Sequence, residues 1–427
     1  MVKNPASKTH QIYTKAINLH RRYQGKISLS LKCPITRHSF DYYYTPGVAA
    51  VCRQIQKDCR QVFNLTWRAN AIAIVTDGTR VLGLGNIGAE AALPVMEGKA
   101  LLFKYLAGVD AVPLCLGTTS EEEIVSLVKK IAPSFSGINL EDIEAPKCFR
   151  ILRTLQKELD IPVWHDDQQG TAMVVAAGLL NALYLVGKDI CRVRLTIIGA
   201  GAAGIAIARL LIRLGLPGKN IIMVDSVGIL NRRRIDKNLS PEKKKICYLT
   251  NQSNRGGGIK EALVGQDAVV AVSRPEPGII KPAWIKTMAP HPIVFACANP
   301  LPEIYPPEAK RAGAVIVATG RSDYPNQVNN SLVFPAVFRG VLESRCPKIT
   351  EEMCRAGAEE LAGYARRQNW FGPEKILPDM NDTRAYIQVA TAVGWQAIKD
   401  GLAGLKLSRQ ELYRRIKEKI SLARKDR

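Results

Sequence analysis

Residues 195–225 read LTIIGAGAAGIAIARLLIRLGLPGKNIIMVD, and this stretch decides the fold. Leu195 to Ile198 form a short aliphatic run that enters the G-x-G-x-x-G of Gly199, Gly201 and Gly204. An amphipathic helical segment follows, then a second apolar run ending at Asp225. That acid stands about 20 residues past the last glycine, the spacing of a group that holds an adenosine ribose. The first glycine permits a tight turn, the second lets backbone approach a pyrophosphate, and the third lets helix pack on strand. The helix N-terminus adds partial positive charge for the phosphates. The unit predicts a dinucleotide site, for NAD or NADP, built from the backbone of Gly199, Gly201, Ala202, Ala203 and Gly204 with Asp225 on the ribose.

Around this unit the chain of 427 residues is long enough for two or three domains with ample core. A hydrophobic share of 47% with mixed patterning reads as globular and soluble. The apolar run from Met173 to Val186 is too short to cross a bilayer. The opening MVKNPASKTH lacks the apolar centre of a signal peptide. Ten cysteines without C-x-x-C pairs suit a reducing compartment, so a cytoplasmic protein is expected. The net charge of +22 is spread widely, with clusters at Arg232–Arg234, at Lys243–Lys245 and in the tail RRIKEKISLARKDR. No aromatics interleave there as a nucleic-acid stacking surface requires. The reading is a cationic solvated surface whose field draws in anionic substrates, with no specific nucleic acid and no membrane as partner.

Strand-like and helix-like segments alternate along the chain. Helix is expected over 9–22, from Val48, and over 87–107, 120–131 and 170–186. Strand is expected over 26–31, 71–75, 80–84, 110–115, 136–140, 268–272, 293–296 and 314–317. From Glu351 the pattern is helical, broken at Leu377–Asp382. Such alternation implies α/β architecture with parallel sheets covered on both faces. The expected organisation is an N-terminal α/β substrate and metal domain (1–162), a Rossmann-like doubly wound dinucleotide domain (163–385), and C-terminal helices (386–427) packing back on the first. A second glycine signature, GLGNIG at 83–88, follows a very short strand, and its next strand carries Asp110 at the wrong end to grip a ribose. It reads as a compact turn, free to line a substrate pocket.

Two acidic pairs, Glu141-Asp142 and Asp166-Asp167, stand at apparent strand ends. Adjacent carboxylates repel, so a cation or base beside them is implied. Hard oxygen donors suit Mg²⁺ or Mn²⁺ rather than Zn²⁺. Helix capping, with Asp167 before Gly170, is the plainer alternative. Lys99 sits on a helix whose apolar face includes Leu93, Met96, Ala100 and Phe103. Burial there would depress its pKa and make it a base, whereas a surface position would leave it an ordinary cation. Tyr44, in YYYTPGVA, reads either as a packing residue or as an acid. His165 alone reads as a structural histidine.

Eight segments then carry a resemblance: YTPGVA (44–49), TDGTRVLGLGNIG (76–88), MEGKALLFK (96–104), NLEDIEAP (139–146), HDDQQGTA (165–172), GAGAAGIA (199–206), FACANPLPEI (295–304) and GRSDYPNQVNN (320–330). In this order, over most of the chain, they resemble the malic enzyme family in its short bacterial form. The resemblance implies metal-dependent oxidative decarboxylation of L-malate to pyruvate and carbon dioxide with reduction of NAD or NADP. It implies Glu141, Asp142 and Asp167 as metal ligands, Lys99 as the base and Tyr44 as the acid for carbon-3. Asp166 would steady the lysine, Arg80 would pair with a malate carboxylate, and Asn299 and Asn330 would bond the substrate, Asn299 also touching the cofactor. It further implies a homodimer, with an N-terminal segment reaching across subunits.

Within that resemblance, the aromatic run DYYYTPG places Tyr42 and Tyr43 where they would perturb the pocket. No chain remains for the acyltransferase-like domain carried by longer bacterial relatives. Asp225 favours NAD by repelling a 2′-phosphate, and Arg232–Arg234 are near enough to offset it. Two other readings stay open. One is a dehydrogenase of another 2-hydroxy or 2-amino acid without decarboxylation. The other is a catalytically silent nucleotide- or nucleic-acid-binding protein on this scaffold.

Overall fold

Burial of aliphatic runs against helices builds two sheets from ten strands among the described residues, which are 5–235 and 239–425 of the computed structural model. The first four residues of the MVKNPASKTH opening and the last two of the basic tail lie outside that range. The strands are β1 (Ala71–Thr76), β2 (Asp110–Cys115), β3 (Ile138–Leu140), β4 (Val163–His165), β5 (Leu195–Ile198), β6 (Ile221–Asp225), β7 (Gly228–Ile229), β8 (Ala268–Ala271), β9 (Ile293–Ala296) and β10 (Ile316–Thr319). The first sheet has the order β2-β1-β3-β4, all parallel. The second has the order β10-β9-β8-β5-β6-β7 and is parallel except at its β6–β7 edge, an antiparallel hairpin the sequence reading did not contain.

Parallel strands place their C-terminal ends at one edge, where the loops that bind ligands sit. In the second sheet β5 and β8 lie side by side and lead away in opposite directions, a topological switch point. In the first sheet β1, β3 and β4 end at Thr76, Leu140 and His165, so 77–80, 141–142 and 166–167 share one edge.

The C-terminal helices close the first unit. Helix Arg409–Lys425 buries Leu412, Ile416 and Ile420, each with no exposure, and its Lys419 carbonyl lies close over Gly108. Each such side chain stabilises by about 1.5–3 kcal/mol relative to exposure. Arg339, 1% exposed, ties helix Phe334–Ser344 to the first sheet through Asn70 Oδ1 at 2.7 Å, with Glu343 Oε1 at 3.0 Å as counter-ion.

Two expected strands are absent. Residues 26–31 have no neighbouring strand, and Leu29 and Leu31 stand 90% and 77% exposed. Residues 80–84 form a tight loop with one bridge, Val81 to Gly85, and Leu82 at positive φ. The GLGNIG segment is therefore a turn leading into helix Ala89–Ala107. Of the helices that the sequence pattern does not predict, two frame the first unit. Lys147–Glu158 buries Phe149, Ile151, Leu152 and Leu155. Phe334–Ser344 is buried along its whole length and so shows no polar face to reveal a period. No described helix is long and apolar enough to cross a membrane.

Candidate active site

The edges of the two sheets face one cavity of about 730 Å³. Its wall includes Arg80, Lys99, Glu141, Asp142 and Asp167 from the first unit, and Gly201, Ala202, Ala203, Asn299 and Asn330 from the second. Asp166 lies just behind this wall, in contact with Lys99. Gly199 and Gly204 form the base of the loop, and Asp225 lies at the end of β6.

The glycine loop fits a dinucleotide. Gly199 has φ +110°, and a Cβ there would meet the Val272 carbonyl oxygen at 2.6 Å. A Cβ on Gly204 would lie 1.8 Å from the Gly199 carbonyl oxygen, so only glycine lets helix Ala202–Arg213 sit this close to β5. At Gly201 a Cβ would meet nothing within 4 Å. That open cradle at a helix N-terminus suits a pyrophosphate.

Asp225 is paired, as the nearby arginines allow, and more fully than they alone provide. Its carboxylate is held by Arg234 at 3.0 Å and Lys243 Nζ at 2.9 Å. Burial pushes its pKa up, but these two cations outweigh that and hold it down at about 2. The acid is thus ionised and neutralised, and its repulsion of a second anion is largely cancelled. Sequence proximity pointed to the arginines; the share of Lys243 comes from helix Pro241–Leu249 folding back beside β6.

The acidic pairs converge. Carboxylate oxygens of Glu141, Asp142 and Asp167 lie within 4.8 Å of one another. Asp142 has φ +53°, a left-handed conformation that aspartate tolerates better than most side chains. Its N–H donates to Asp167 Oδ2 at 3.0 Å, and its carbonyl accepts from Arg80 N at 3.0 Å. Asp166 and Asp167 are in a π-helical turn, 166–170, rather than at a simple helix cap. A Cβ on Gly170 would strike Asp166 Oδ1 at 1.9 Å, so that turn requires glycine.

Lys99 overturns its expected electrostatics. Its ammonium contacts Asp166 and lies 2.9 Å from Glu141 Oε1 and 4.4 Å from the Phe334 ring centroid. Burial lowers its pKa, yet Asp166 and Glu141 outweigh burial and raise it above the ordinary lysine value. Burial likewise raises Glu141 well above the carboxylate range. It pushes Asp142 to about 8, with Asp167 adding to the effect. Once ionised, four clustered carboxylates against the single ammonium of Lys99 would leave surplus negative charge. Asp142 Oδ2 is buried without a hydrogen-bond donor among the described residues. Surplus charge and an orphaned hard oxygen fit a divalent cation. His165 is buried, burial lowers its pKa, and it remains neutral behind Asp167 at 3.8 Å.

Tyr44 does not reach this cavity within the chain. It is 71% exposed, and Tyr42 and Tyr43 beside it are 70% and 53% exposed, so none perturbs the pocket of its own chain. Several positioning groups went unread. Asn139, fully buried, donates to Glu141 Oε2 at 2.9 Å. Lys147 Nζ meets Asp77 at 2.6 Å and fixes the turn that presents Arg80. Buried Glu303 accepts from Ser273 N at 2.7 Å and Ala298 N at 3.1 Å, joining the loops after β8 and β9. Asn139 and Glu303 both lie inside quoted motifs, the one signal available for them.

A glycine-loop unit of dinucleotide type and a second α/β unit around an acidic, lysine-bearing cleft define the class, and comparison with known proteins narrows it. The family model described as malic enzyme, N-terminal domain, matches residues 24–123, and the one described as malic enzyme, NAD binding domain, matches 168–398. The Bifunctional malic/malolactic enzyme of Bacillus subtilis is 45% identical over 399 residues, 93% of this chain and 96% of that protein. The NAD-dependent malic enzyme of Geobacillus stearothermophilus is 48% identical over 380 residues, 89% of this chain and 78% of that protein. The crystal structure of Entamoeba histolytica malic enzyme superposes with a TM-score of 0.95 at 44% identity, covering 98% of this chain and 88% of that one. The chain belongs to the malic enzyme family, a family of NAD- or NADP-dependent oxidoreductases.

Proposed function

We propose that the chain catalyses the metal-dependent oxidative decarboxylation of L-malate to pyruvate and carbon dioxide with reduction of NAD or NADP. The observation that carries this reading is the convergence of Lys99, the Glu141–Asp142–Asp167 cluster and the Gly201–Ala203 loop on one cavity. Glu141, Asp142 and Asp167 would hold Mg²⁺ or Mn²⁺, which would supply Lewis acidity toward the 2-oxygen, and the Gly201–Ala203 loop would hold the nicotinamide dinucleotide, which would supply the hydride acceptor for carbon-2.

Lys99 accepts the proton of the 2-hydroxyl as the carbonyl forms. To do so its nitrogen must first shed one proton, and Asp166 is in contact to receive it. Committing Glu141 to a cation weakens the field that holds that proton. Arg80 pairs with a malate carboxylate, and Asn299 and Asn330 orient the substrate. As the C–C bond to the distal carboxylate breaks, its electron pair passes to carbon-3, which Tyr44 protonates. In this scheme the boundary expected at 162 moves past β4, which pairs in the first sheet, and past the 166–170 turn after it, so that first unit supplies Arg80, Lys99 and the metal ligands. The remainder to 385 binds the dinucleotide and contributes Asn299 and Asn330, and 386–427 buttress the first unit.

Incubation with L-malate, Mn²⁺ and NAD or NADP, following reduced cofactor and pyruvate together, tests the reaction. One pyruvate per reduced nicotinamide is expected. Accumulating oxaloacetate, or lactate without net reduction, would overturn it.

The working unit we infer is a homodimer in which Tyr44 serves the partner's cavity. Support comes from the exposure of Tyr44 and of Ile12, Tyr13, Ile17, Leu29 and Leu31 on the same N-terminal segment. Tyr44→Phe is expected to impair pyruvate formation more than malate oxidation. Inactive Tyr44→Phe and Lys99→Ala chains, unfolded and refolded together, should regain about a quarter of wild-type turnover, because half the dimers are mixed and each holds one intact site. No recovery would place Tyr44 in its own chain's site. Ten unpaired cysteines favour a cytoplasmic setting.

Both dinucleotides are expected to serve. The double change Arg234→Ala, Lys243→Ala should cost NADP about 10–100-fold in kcat/KM, the loss of a charge-assisted hydrogen bond or two, and cost NAD far less. Equal losses on both would remove these cations from 2′-phosphate recognition.

A further inference from the structure

A second cavity, of about 280 Å³, lies on the far side of the 166–170 turn from the catalytic one. One wall is helix Lys147–Glu158 of the first unit, with Phe149 and Leu152; another is helix Ala202–Arg213 of the second, with Ile205, Arg209 and Leu210. Gln168 and Gln169 of the turn complete it.

The charges in this wall are unevenly matched. Arg153 pairs with Glu242 at 3.0 Å, and Glu351 pairs with Arg213 at 2.9 Å. The side chain of Arg209 has no ion pair or hydrogen bond among the described residues. Gln168 is 6% exposed, and its amide nitrogen has no hydrogen-bond partner. A guanidinium unmatched among the described residues and an apolar wall describe a receptor for a single negative charge on an apolar body, with the buried, unpartnered Gln168 amide nitrogen behind that wall. At about 30 Å³ for each water-sized group, the space holds about nine non-hydrogen atoms.

We propose that this cavity binds a small organic monocarboxylate with an apolar body, coupled to the catalytic site through the 166–170 turn. Consecutive residues of that turn face the two cavities, Asp166 and Asp167 toward the lysine and acid cluster, Gln168 and Gln169 toward Arg209. The packing of Gly170 against Asp166 leaves no slack between them. Helix Ala202–Arg213 adds a second link, since its N-terminus forms the dinucleotide loop and its flank carries Arg209. By reciprocity, a ligand that shifts these elements alters substrate affinity as substrate alters its own.

Benzoate, of matching size and charge, is the probe, titrated against the full chain by ligand-observed NMR. Binding below about 10 mM is expected, and saturating L-malate should shift its Kd by the same bounded factor by which benzoate shifts malate, without competing it away. Arg209→Gln should weaken it about tenfold or more. Ala206→Leu, which fills the space, should abolish it with the melting temperature unchanged. Saturating benzoate should also shift the KM for malate about fivefold or more. Full competitive displacement by malate, equal affinity in Arg209→Gln, or an unmoved malate saturation curve would each overturn the proposal. The binding measurements stand apart from the proposed reaction; the KM measurement rests on it, and failure to turn over malate would sink that reaction alone.

Discussion

Alanine in place of Lys99 is expected to lower kcat for malate oxidation by about 10²–10⁴-fold, the contribution of one positioned general base. Dinucleotide affinity should stay within about twofold, because the glycine loop after β5 owes nothing to this side chain. Absorbance of the reduced nicotinamide reads the first quantity and quenching of its fluorescence on binding reads the second. The substitution has a second consequence that identifies the electrostatics. Lys99 is the ammonium that Asp166 and Glu141 share, and without it both carboxylates lose their cation. The chelator-treated variant should therefore melt lower than the chelator-treated wild type, and Mn²⁺ should recover most of that difference. Turnover within about threefold of wild type would remove Lys99 from the chemistry. Lost turnover together with lost dinucleotide binding would make its role structural.

What the sequence disclosed about this site divides along a physical line. Features fixed by a few consecutive residues were legible. Leu195–Ile198 and the three glycines make the same strand, turn and helix wherever they occur, and the structure has them at those residues. The second glycine signature was legible as a turn because its next acid had no ribose to reach. Features set by distant partners were not. The pKa of Lys99 was read from its own helix, whose face is apolar, but its sign is decided by Asp166 and Glu141 from loops after two other strands. The arginines that offset Asp225 are visible in the sequence, but the part of Lys243 is not, because it approaches the acid only through tertiary folding. Tyr44 sits in a clear motif, yet no local pattern says which chain's cavity it serves. Helix Phe334–Ser344 escaped for the opposite reason, since burial on every side erases the period that betrays a helix.

Asparagine at position 142 should separate charge from shape in the acid cluster. The two side chains are isosteric, and both tolerate the left-handed backbone at φ +53°. What changes is one buried carboxylate whose Oδ2 has no donor among the described residues. Loss of one cation ligand is expected to reduce kcat/KM for malate by about 10³-fold, taking the Lewis-acid contribution as about 4 kcal/mol. Stability should move the other way when no divalent ion is present. Burial and the neighbouring Asp167 raise the folded pKa of Asp142 to about 8, above its unfolded value. A carboxylate shifted upward costs stability progressively as pH climbs from near 4 toward 8, because the folded protein resists losing that proton. The asparagine variant escapes this cost. With chelator present it should melt above wild type at pH 8 and level with it near pH 4, where both side chains are neutral. With Mn²⁺ at pH 8 the order should reverse, since wild type alone gains the full stabilisation by the ion. Melting curves at two pH values, with and without Mn²⁺, give all four comparisons. A variant that Mn²⁺ stabilises as much as wild type would show that Asp142 is not a ligand, and that the surplus charge of the cluster is answered in some other way.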